Sequence, residues 1–247
     1  MSKIKWTANK LPKTGAQKEL ALMSPEAMAQ VHAFHKSFPQ YTETPLVSLE
    51  QLAASKGVGG SYIKDESYRF GLNAVKVLGG SFAMARFIAQ QTGRDISQLG
   101  YDQLTSPQVK QDLGDFTFFT ATDGNHGRGV AWAANKIGQK SVIYMPKGSS
   151  QIRLEAIRAE GAKAEITELN YVGAVKIAYE ESRKVQNSVV VQDTAWEGYE
   201  EIPSWIMQGY ATMALEARSQ LQDYGVDRPT HVIIQAGVGS VTGAVQG

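Results

Sequence analysis

The sequence predicts an α/β fold built on mostly parallel sheets. Short runs rich in β-branched and aromatic residues alternate with longer segments of helical apolar spacing along the whole chain. That alternation is the pattern of strands joined by right-handed helical crossovers. The unusual turns also fall where such a fold uses them. Asp123 to Gly127, Asp193 to Gly198 and Gly237 to Gly243 each follow an apolar strand-like run. In open parallel sheets, ligands sit at the carboxyl ends of the strands.

The elements follow in order. Residues 1 to 23 are polar without a clear period and read as an N-terminal arm. Ser24-Pro25-Glu26 is a helix start, with Ser as N-cap and Pro at the first helical position. Met28, Val31, Phe34 and Phe38 follow at near-helical spacing, and Pro39 stops the run. Thr44 is extended because it precedes Pro45. Ser48-Leu49-Glu50-Gln51 reads as a capping box opening a short helix that Gly57 ends. Gly59-Gly60 turns into a strand at Tyr62-Ile63-Lys64, and Asp65-Glu66-Ser67 is a polar turn. A helix is expected from Asn73, its N-cap, to Thr92-Gly93, and residues 94 to 114 read as loop. Phe116 to Thr120 is a strand. Asp123 to Gly127 turns it into a helix running through Val130, Ala131, Ala134 and Ile137, closed by Gly138. Strands at Ser141–Met145, Lys163–Thr167 and Val189–Val191 alternate with helices at Ile152–Ala159 and Val172–Arg183. One long helix over Ile206–Leu221 and a strand over His231–Gln235 complete the pattern. No internal repeat and no low-complexity segment interrupts it.

Composition narrows the function classes. The chain of 247 residues suits one large or two smaller domains. With 43% hydrophobic and 20% charged residues, it is an ordinary globular protein. Lys and Arg total 25 against 24 Asp and Glu, with no basic block, so nothing points to nucleic acid. No apolar run approaches the roughly 18 residues of a membrane span. The first ten residues lack a signal-peptide core. Zero cysteines exclude a disulfide, a thiolate nucleophile and a cysteine metal site, and fit a cytoplasmic location. No second histidine stands at metal spacing from His126, so no histidine metal site is expected.

Four stretches carry chemistry. Lys76 stands between a strand and an apolar helix, walled by Val75, Val77 and Leu78. Burial disfavours an ammonium, and a neutral amine is a nucleophile that can form a Schiff base with a carbonyl. Spacing alone favours an ordinary helix lysine whose stem snorkels past apolar neighbours. Gly237, Val238, Gly239, Ser240 and Gly243 form a loop after an apolar run, where backbone N–H groups could face an anion. The spacing is Gly-x-Gly-x-x-x-Gly, with Thr242 in place of the third glycine of a dinucleotide fingerprint; a plain tight turn is the alternative. In Asp123-Gly124-Asn125-His126-Gly127, the glycines allow close backbone approach and Asn125 offers a neutral amide. The turn-and-cap reading also accounts for Asp and Asn there. Asp193, at a strand end, faces the same crevice or caps the next segment.

Together these runs resemble a family. Lys64-Asp65-Glu66-Ser67 with Gly71 to Gly80 resembles the pyridoxal-phosphate lysine region of fold-type II enzymes. Thr122 to Gly127 is similar to their Ser-x-Gly-Asn-His-Gly motif, and residues 237 to 243 to their phosphate loop. Asp123 through Ala134, and Gln192 to Tyr199 with Ile202-Pro203 and Trp205 to Tyr210, narrow the resemblance to the diaminopropionate ammonia-lyase branch. It covers the chain from about residue 40 onward. The resemblance implies two open, mostly parallel sheets flanked by helices. Residues 1–80 and 195–247 would belong to a large cofactor-binding domain, and 81–194 to a smaller α/β domain. It also implies that the large domain continues past Gly247, where the partner of the cofactor's pyridine nitrogen would lie.

The implied activity is pyridoxal 5'-phosphate-dependent α,β-elimination of D- and L-2,3-diaminopropionate to pyruvate and ammonia, in a homodimer. Lys76 would be the Schiff-base lysine and the base for the L isomer, and Asp123 the base for the D isomer. Asp193 would face the distal ammonium. Asn125 would bind the cofactor's phenolic oxygen, and Gly237, Val238, Gly239, Ser240 and Gly243 its phosphate. A serine or threonine dehydratase of the same cofactor class, and a non-catalytic fragment or nucleotide-binding module, are the competing readings.

Overall fold

Residues that begin and end the elements do so for local reasons that the computed structural model makes visible over Ala8 and residues 21–246. The expected polar arm lies almost wholly outside these described residues. Helix α1 (Pro25–Lys36) starts as expected, with the Ser24 hydroxyl accepting from Ala27 N at 3.2 Å. Strands β1 (Leu46–Ser48) and β2 (Tyr62–Lys64) pair antiparallel around helix α2 (Glu50–Lys56). The expected capping box at Ser48 does not form. Ser48 is committed to the ladder opposite Tyr62, and α2 begins after Leu49 with no side-chain cap. Gly57 ends α2 in the left-handed region at φ 63°.

A 3-10 segment (Glu66–Gly71) leads toward helix α3 (Lys76–Thr92). Asn73 is left-handed, at φ 58°, so it is not the expected N-cap, and the helix opens at Lys76. Residues 94 to 114, expected as loop, hold a 3-10 turn (Ile96–Gln98) and two short helices, α4 (Tyr101–Leu104) and α5 (Pro107–Leu113). They are too short to display a period. Burial of Ile96, Leu99, Leu104, Val109 and Leu113 fixes them instead.

The parallel sheet comes next. Strands β3 (Thr117–Ala121), β4 (Lys140–Met145), β5 (Lys163–Ile166) and β6 (Ser188–Val190) lie in the order β5-β4-β3-β6, all parallel. Helices α6 (Asn125–Lys136), α7 (Gln151–Ala159) and α8 (Tyr171–Ser182) make the crossovers. Central β3 buries Phe118, Phe119, Thr120 and Ala121, as a strand covered on both faces must. The second sheet among the described residues is the antiparallel β1–β2 pair.

The expected long helix over Ile206–Leu221 is two helices, α9 (Glu201–Gly209) and α10 (Ala211–Asp223), broken at the buried Tyr210. The expected strand over residues 231 to 235 does not form. No described strand runs beside it to take its backbone hydrogen bonds, and Val232 and Ile233 are exposed. Helix α11 (Ser240–Gln246) takes up the second half of the expected glycine loop, so that Ser240 and Gly243 are helical and only residues 237 to 239 are loop.

Glycines set how these helices meet. A Cβ at Gly209 would collide with the carbonyl oxygen of Leu78 in α3, and one at Gly79 would stand 2.8 Å from Ile206 O in α9. On another face, a Cβ at Gly129 of α6 would stand 2.8 Å from Val77 Cα. The opening turns of α3 are therefore in backbone contact with two helices. Phe34, Phe38, Phe70, Phe82 and Trp132 pack beside this crossing, with ring centroids 5.1 to 5.8 Å apart where the rings meet.

Polar ties complete it. Buried His35 of α1 donates from Nε2 to Leu78 O at 3.1 Å, and its Nδ1 accepts from the Thr212 hydroxyl at 2.7 Å. Burial first, and the Arg69 charge second, push the His35 imidazole down from 6.5 to about 3, so it is neutral near pH 7. Glu216 of α10 is 1% exposed and lies between Arg69 and Lys64, both nitrogens at 2.7 Å from Oε2. Burial opposes its charge, but hydrogen bonds and charge from Arg69 and Lys64 hold the carboxyl down at about 2.

Two outcomes follow from this packing. Gly209→Ala is expected to lower the free energy of unfolding by about 3 kcal/mol, because a backbone carbonyl cannot step aside. Gly57→Ala, left-handed but in open space, is expected to cost only about 1 kcal/mol in the same denaturant titration. For pH, both depressed groups act in the same direction. The unfolded chain binds a proton on His35 near 6.5 and on Glu216 near 4.5, whereas the fold resists until about 3 and about 2. Their stabilisation is thus full above pH 6.5 and is lost as pH falls. Thermal midpoints measured from pH 7 to 3 should drop, and His35→Gln should flatten the limb between pH 6.5 and 4.5.

Candidate active site

Lys76 is the first residue of α3, so the glycine crossing that fixes α3 also fixes this side chain. Its Nζ donates to Asp193 Oδ2 at 2.8 Å and lies 5.5 Å from the centroid of the Tyr210 ring. The side chain is 24% exposed and Asp193 only 6%, so the pair sits at the floor of an opening.

Asp193 stands just past β6, where a parallel sheet presents side chains to ligands. Its neighbour Gln192 is locked by the sheet. Gln192 Oε1 accepts from Ala121 N at 2.9 Å and from the Thr120 hydroxyl at 3.0 Å. That orientation aims Nε2 at the Tyr171 hydroxyl, 2.9 Å away, and at Asp193 Oδ1, 3.3 Å away. Burial opposes the charge on Asp193. Electrostatic interaction with His126 and with Lys76, together with the Lys76 hydrogen bond, still holds its carboxyl below the usual carboxylate range. Asp193 is therefore an ionised acceptor at neutral pH.

The turn from Asp123 to Gly127 packs hard against the sheet. Thr122 Oγ1 accepts from Gly124 N at 2.9 Å, and a Cβ at Gly127 would collide with the Thr122 side chain. Inside the turn His126 is buried and donates from Nε2 to Val191 O at 2.7 Å. Burial lowers its pKa, and its Nδ1 has no hydrogen-bond partner among the described residues. His126 packs here, as its isolated position in the sequence suggests. Asp123 and Asn125 point outward and are exposed. Burial raises the pKa of Tyr171, and the charges of Asp193 and Asp123 both add to the rise.

The glycine loop leads into α11. Gly239 is left-handed, at φ 96°, and a Cβ on Gly237 or Gly239 would meet nothing within 4 Å. Gly243 packs close to Met207 of α9. The hydroxyls of Tyr210, Ser240 and Thr242 are buried without a hydrogen-bond partner among the described residues. Burial raises the Tyr210 hydroxyl well above its ordinary value, and the Asp193 charge adds to the rise. Three unsatisfied hydroxyls at an open glycine loop suit a group with several acceptor oxygens.

Of the expected residues, the structure brings Lys76 from α3 onto Asp193 after β6; Asp123 and Asn125 stand exposed at the start of α6, and Gly237 to Gly243 run into the first turn of α11. Tyr171, Gln192 and Tyr210 join them without having been singled out for chemistry. Gln192 carried the one usable signal, as an amide at the end of a buried strand. The other two come from helices whose spacing says nothing about a crevice.

The chain matches the family described as pyridoxal-phosphate dependent enzyme over residues 38–247. It is 52% identical to diaminopropionate ammonia-lyase of Salmonella typhimurium over 235 residues, 95% of this chain and 58% of that protein. It is 50% identical to the Escherichia coli K12 protein of that name over 87% of this chain and 52% of the relative. The apo crystal structure of the Escherichia coli enzyme superimposes with a TM-score of 0.85 at 48% identity, covering 91% of this chain and 60% of that one. The same enzyme in complex with D-serine also gives 0.85. The processed form of threonine deaminase isoform 2 from Solanum lycopersicum shares the fold at a TM-score of 0.56 and 24% identity, over 81% of this chain and 50% of that one. The chain spans about half the length of the curated relatives it matches. On the match over residues 38–247, the chain belongs to the pyridoxal-phosphate dependent enzyme family.

Proposed function

We propose that this chain is the lysine-bearing part of a pyridoxal 5'-phosphate-dependent ammonia-lyase that converts D- and L-2,3-diaminopropionate to pyruvate and ammonia. The observation that carries this reading is the Lys76–Asp193 pair, 2.8 Å long; Asp123, exposed just before α6, is taken as the second carboxylate of the same site. A simple hydroxy-amino-acid dehydratase has no need for two carboxylates, whereas a substrate with a distal ammonium does. The similarity to two ammonia-lyases at about half identity supports the same choice.

The residues present fit the cofactor. Lys76 offers the amine that would hold its aldehyde carbon. Asn125, exposed at the start of α6, has an amide free to meet its phenolic oxygen. Gly237, Val238, Gly239, Ser240 and Gly243 would hold the phosphate, and the orphaned Ser240 and Thr242 hydroxyls suit its oxygens. When bound, the cofactor supplies an electron-accepting ring that stabilises negative charge at the substrate α-carbon.

The chain's own groups do the rest. Lys76 Nζ, as a free amine, would take the α-proton of the L isomer. The α-proton of the D isomer lies on the opposite face, beyond the reach of one amine, and Asp123 would take it. Asp193, already ionised, would exchange its ion pair with Lys76 for one with the distal ammonium. That nitrogen then leaves as ammonia with the bonding electron pair and without a further proton. The two-domain division at residues 80/81 and 194/195, the homodimer and the cytoplasmic location belong to the same proposal; the absence of cysteine is consistent with a reducing compartment.

Two measurements check this reading. Borohydride reduction of the cofactor-loaded protein should fix the label on Lys76, and label on any other lysine would sink the assignment. Asp123→Asn should lower turnover of the D isomer by about 100-fold or more and of the L isomer by less than about 3-fold. Equal losses would refute the two-base scheme. Faster elimination from serine than from diaminopropionate would move the reading to a dehydratase.

A further inference from the structure

The connection that delivers Lys76 is held in a conformation its own residues disfavour. Phe70 (φ 49°) and Asn73 (φ 58°) are both left-handed, with Gly71 (φ 71°) between them. Left-handed backbone is costly for a bulky side chain such as Phe70, and it persists only where surroundings over-determine it. Here they do. Just before the turn, Arg69 is fully buried and makes two forks. Its Nη1 and Nη2 donate to Glu216 Oε1 and Oε2 at 2.8 and 2.7 Å. Its Nε and Nη2 donate to Glu66 Oε2 and Oε1 at 2.8 and 2.7 Å.

The rest of the cluster leaves Glu216 no freedom. Lys64 Nζ lies 2.7 Å from its Oε2, and the Tyr41 hydroxyl donates to its Oε1 at 2.8 Å. Thr44 Oγ1 donates to Glu66 Oε1 at 2.6 Å. Two cations and two carboxylates sum to zero. On the far side of the turn, Arg128 of α6 donates from Nη1 to Leu72 O at 3.3 Å while holding Glu160. The Phe70 ring is buried against Phe38 and Trp132.

We infer that the buried Arg69–Glu216 fork is a positioning device for Lys76: by clamping the left-handed turn Phe70–Asn73 onto α10, it sets where α3 begins and holds the Lys76 amine on Asp193. A cluster present only for stability has a cheaper alternative, since well-packed apolar residues commonly match or exceed a buried ion pair. What apolar packing cannot supply is direction. Two planar forks at right spacing admit one orientation of Arg69, and hence one path for the residues that follow it. The importance of this placement rests on the reading of Lys76 as the cofactor lysine; the test does not.

The test measures the amine directly. In the full-length protein freed of cofactor, limiting acetic anhydride at pH 9 acylates each lysine in proportion to its availability, and peptide mass spectrometry gives Lys76 relative to exposed Lys163. Arg69→Lys keeps the charge and loses the forks. It should raise the Lys76 ratio about 5-fold, as the Asp193 pair is released. Glu66→Gln, which keeps the Glu216 fork, should raise it less, about 2-fold, and carries the test if Arg69→Lys does not fold. Ile157→Val, a buried change on α7, is the control for general destabilisation and should leave the ratio unchanged. Overturning the inference requires only that the folded cluster variants move Lys76 no more than Ile157→Val does. Borohydride label away from Lys76 would instead defeat the functional reading, leaving the measured placement as it stands.

Discussion

The start of α3 is squeezed between two other helices at backbone distance, and most of the molecule follows from that squeeze. Gly129 of α6 meets Val77 from one direction, and Gly209 of α9 meets Leu78 from another. Neither contact tolerates a methyl group. Because backbone cannot change rotamer, the contacts transmit position without slack, and Lys76, one residue before Val77, inherits it. The same crossing brings Tyr210, just past α9, to the lysine. A floppy four-carbon side chain becomes a defined one because its root is fixed and its tip is paired.

Charge at the site is divided by environment. Asp193 and Tyr171 are joined through one amide, Gln192, yet burial and neighbours push them apart: the carboxyl stays ionised and the phenol stays protonated. Asp123, just before α6, is exposed. The floor of the site thus holds an ionised acceptor beside the Lys76 amine, with the Tyr171 hydroxyl on the other side of the Gln192 amide. The buried hydroxyls by the glycine loop define the end where an oxygen-rich group would rest. The buried cluster around Glu216 lies outside this chemistry, but it governs the turn through which the lysine is delivered.

Much of this was legible in the residues. Ser24-Pro25 marked a real helix start, and central β3 was visible as a short apolar run because it is covered on both faces, while edge strand β5 alternates charged and apolar residues. Failures occurred where a local rule met a tertiary demand. Ser48 could have capped α2 but was taken by the ladder. Asn73 could have capped α3 but was needed left-handed in the turn. Residues 231 to 235 have strand chemistry, yet no described strand beside them. The short helices between residues 94 and 114 lacked a period because burial, not periodicity, holds them.

The sequence by itself determined the fold class, the lysine, the acidic turn and the glycine loop, since each is written in neighbouring residues whose backbone preferences act locally. It could also suggest, through resemblance, that these belong to one site. Only the tertiary structure decided that Lys76 rests on Asp193, 117 positions away in the chain. Only it could reveal that Gln192 orients both Asp193 and Tyr171, and that Arg69 is forked onto Glu216 across 147 positions. Such pairings leave no mark in local composition. An ion pair is made by the geometry of the packed core, and that geometry is set by helices meeting where glycine alone leaves room.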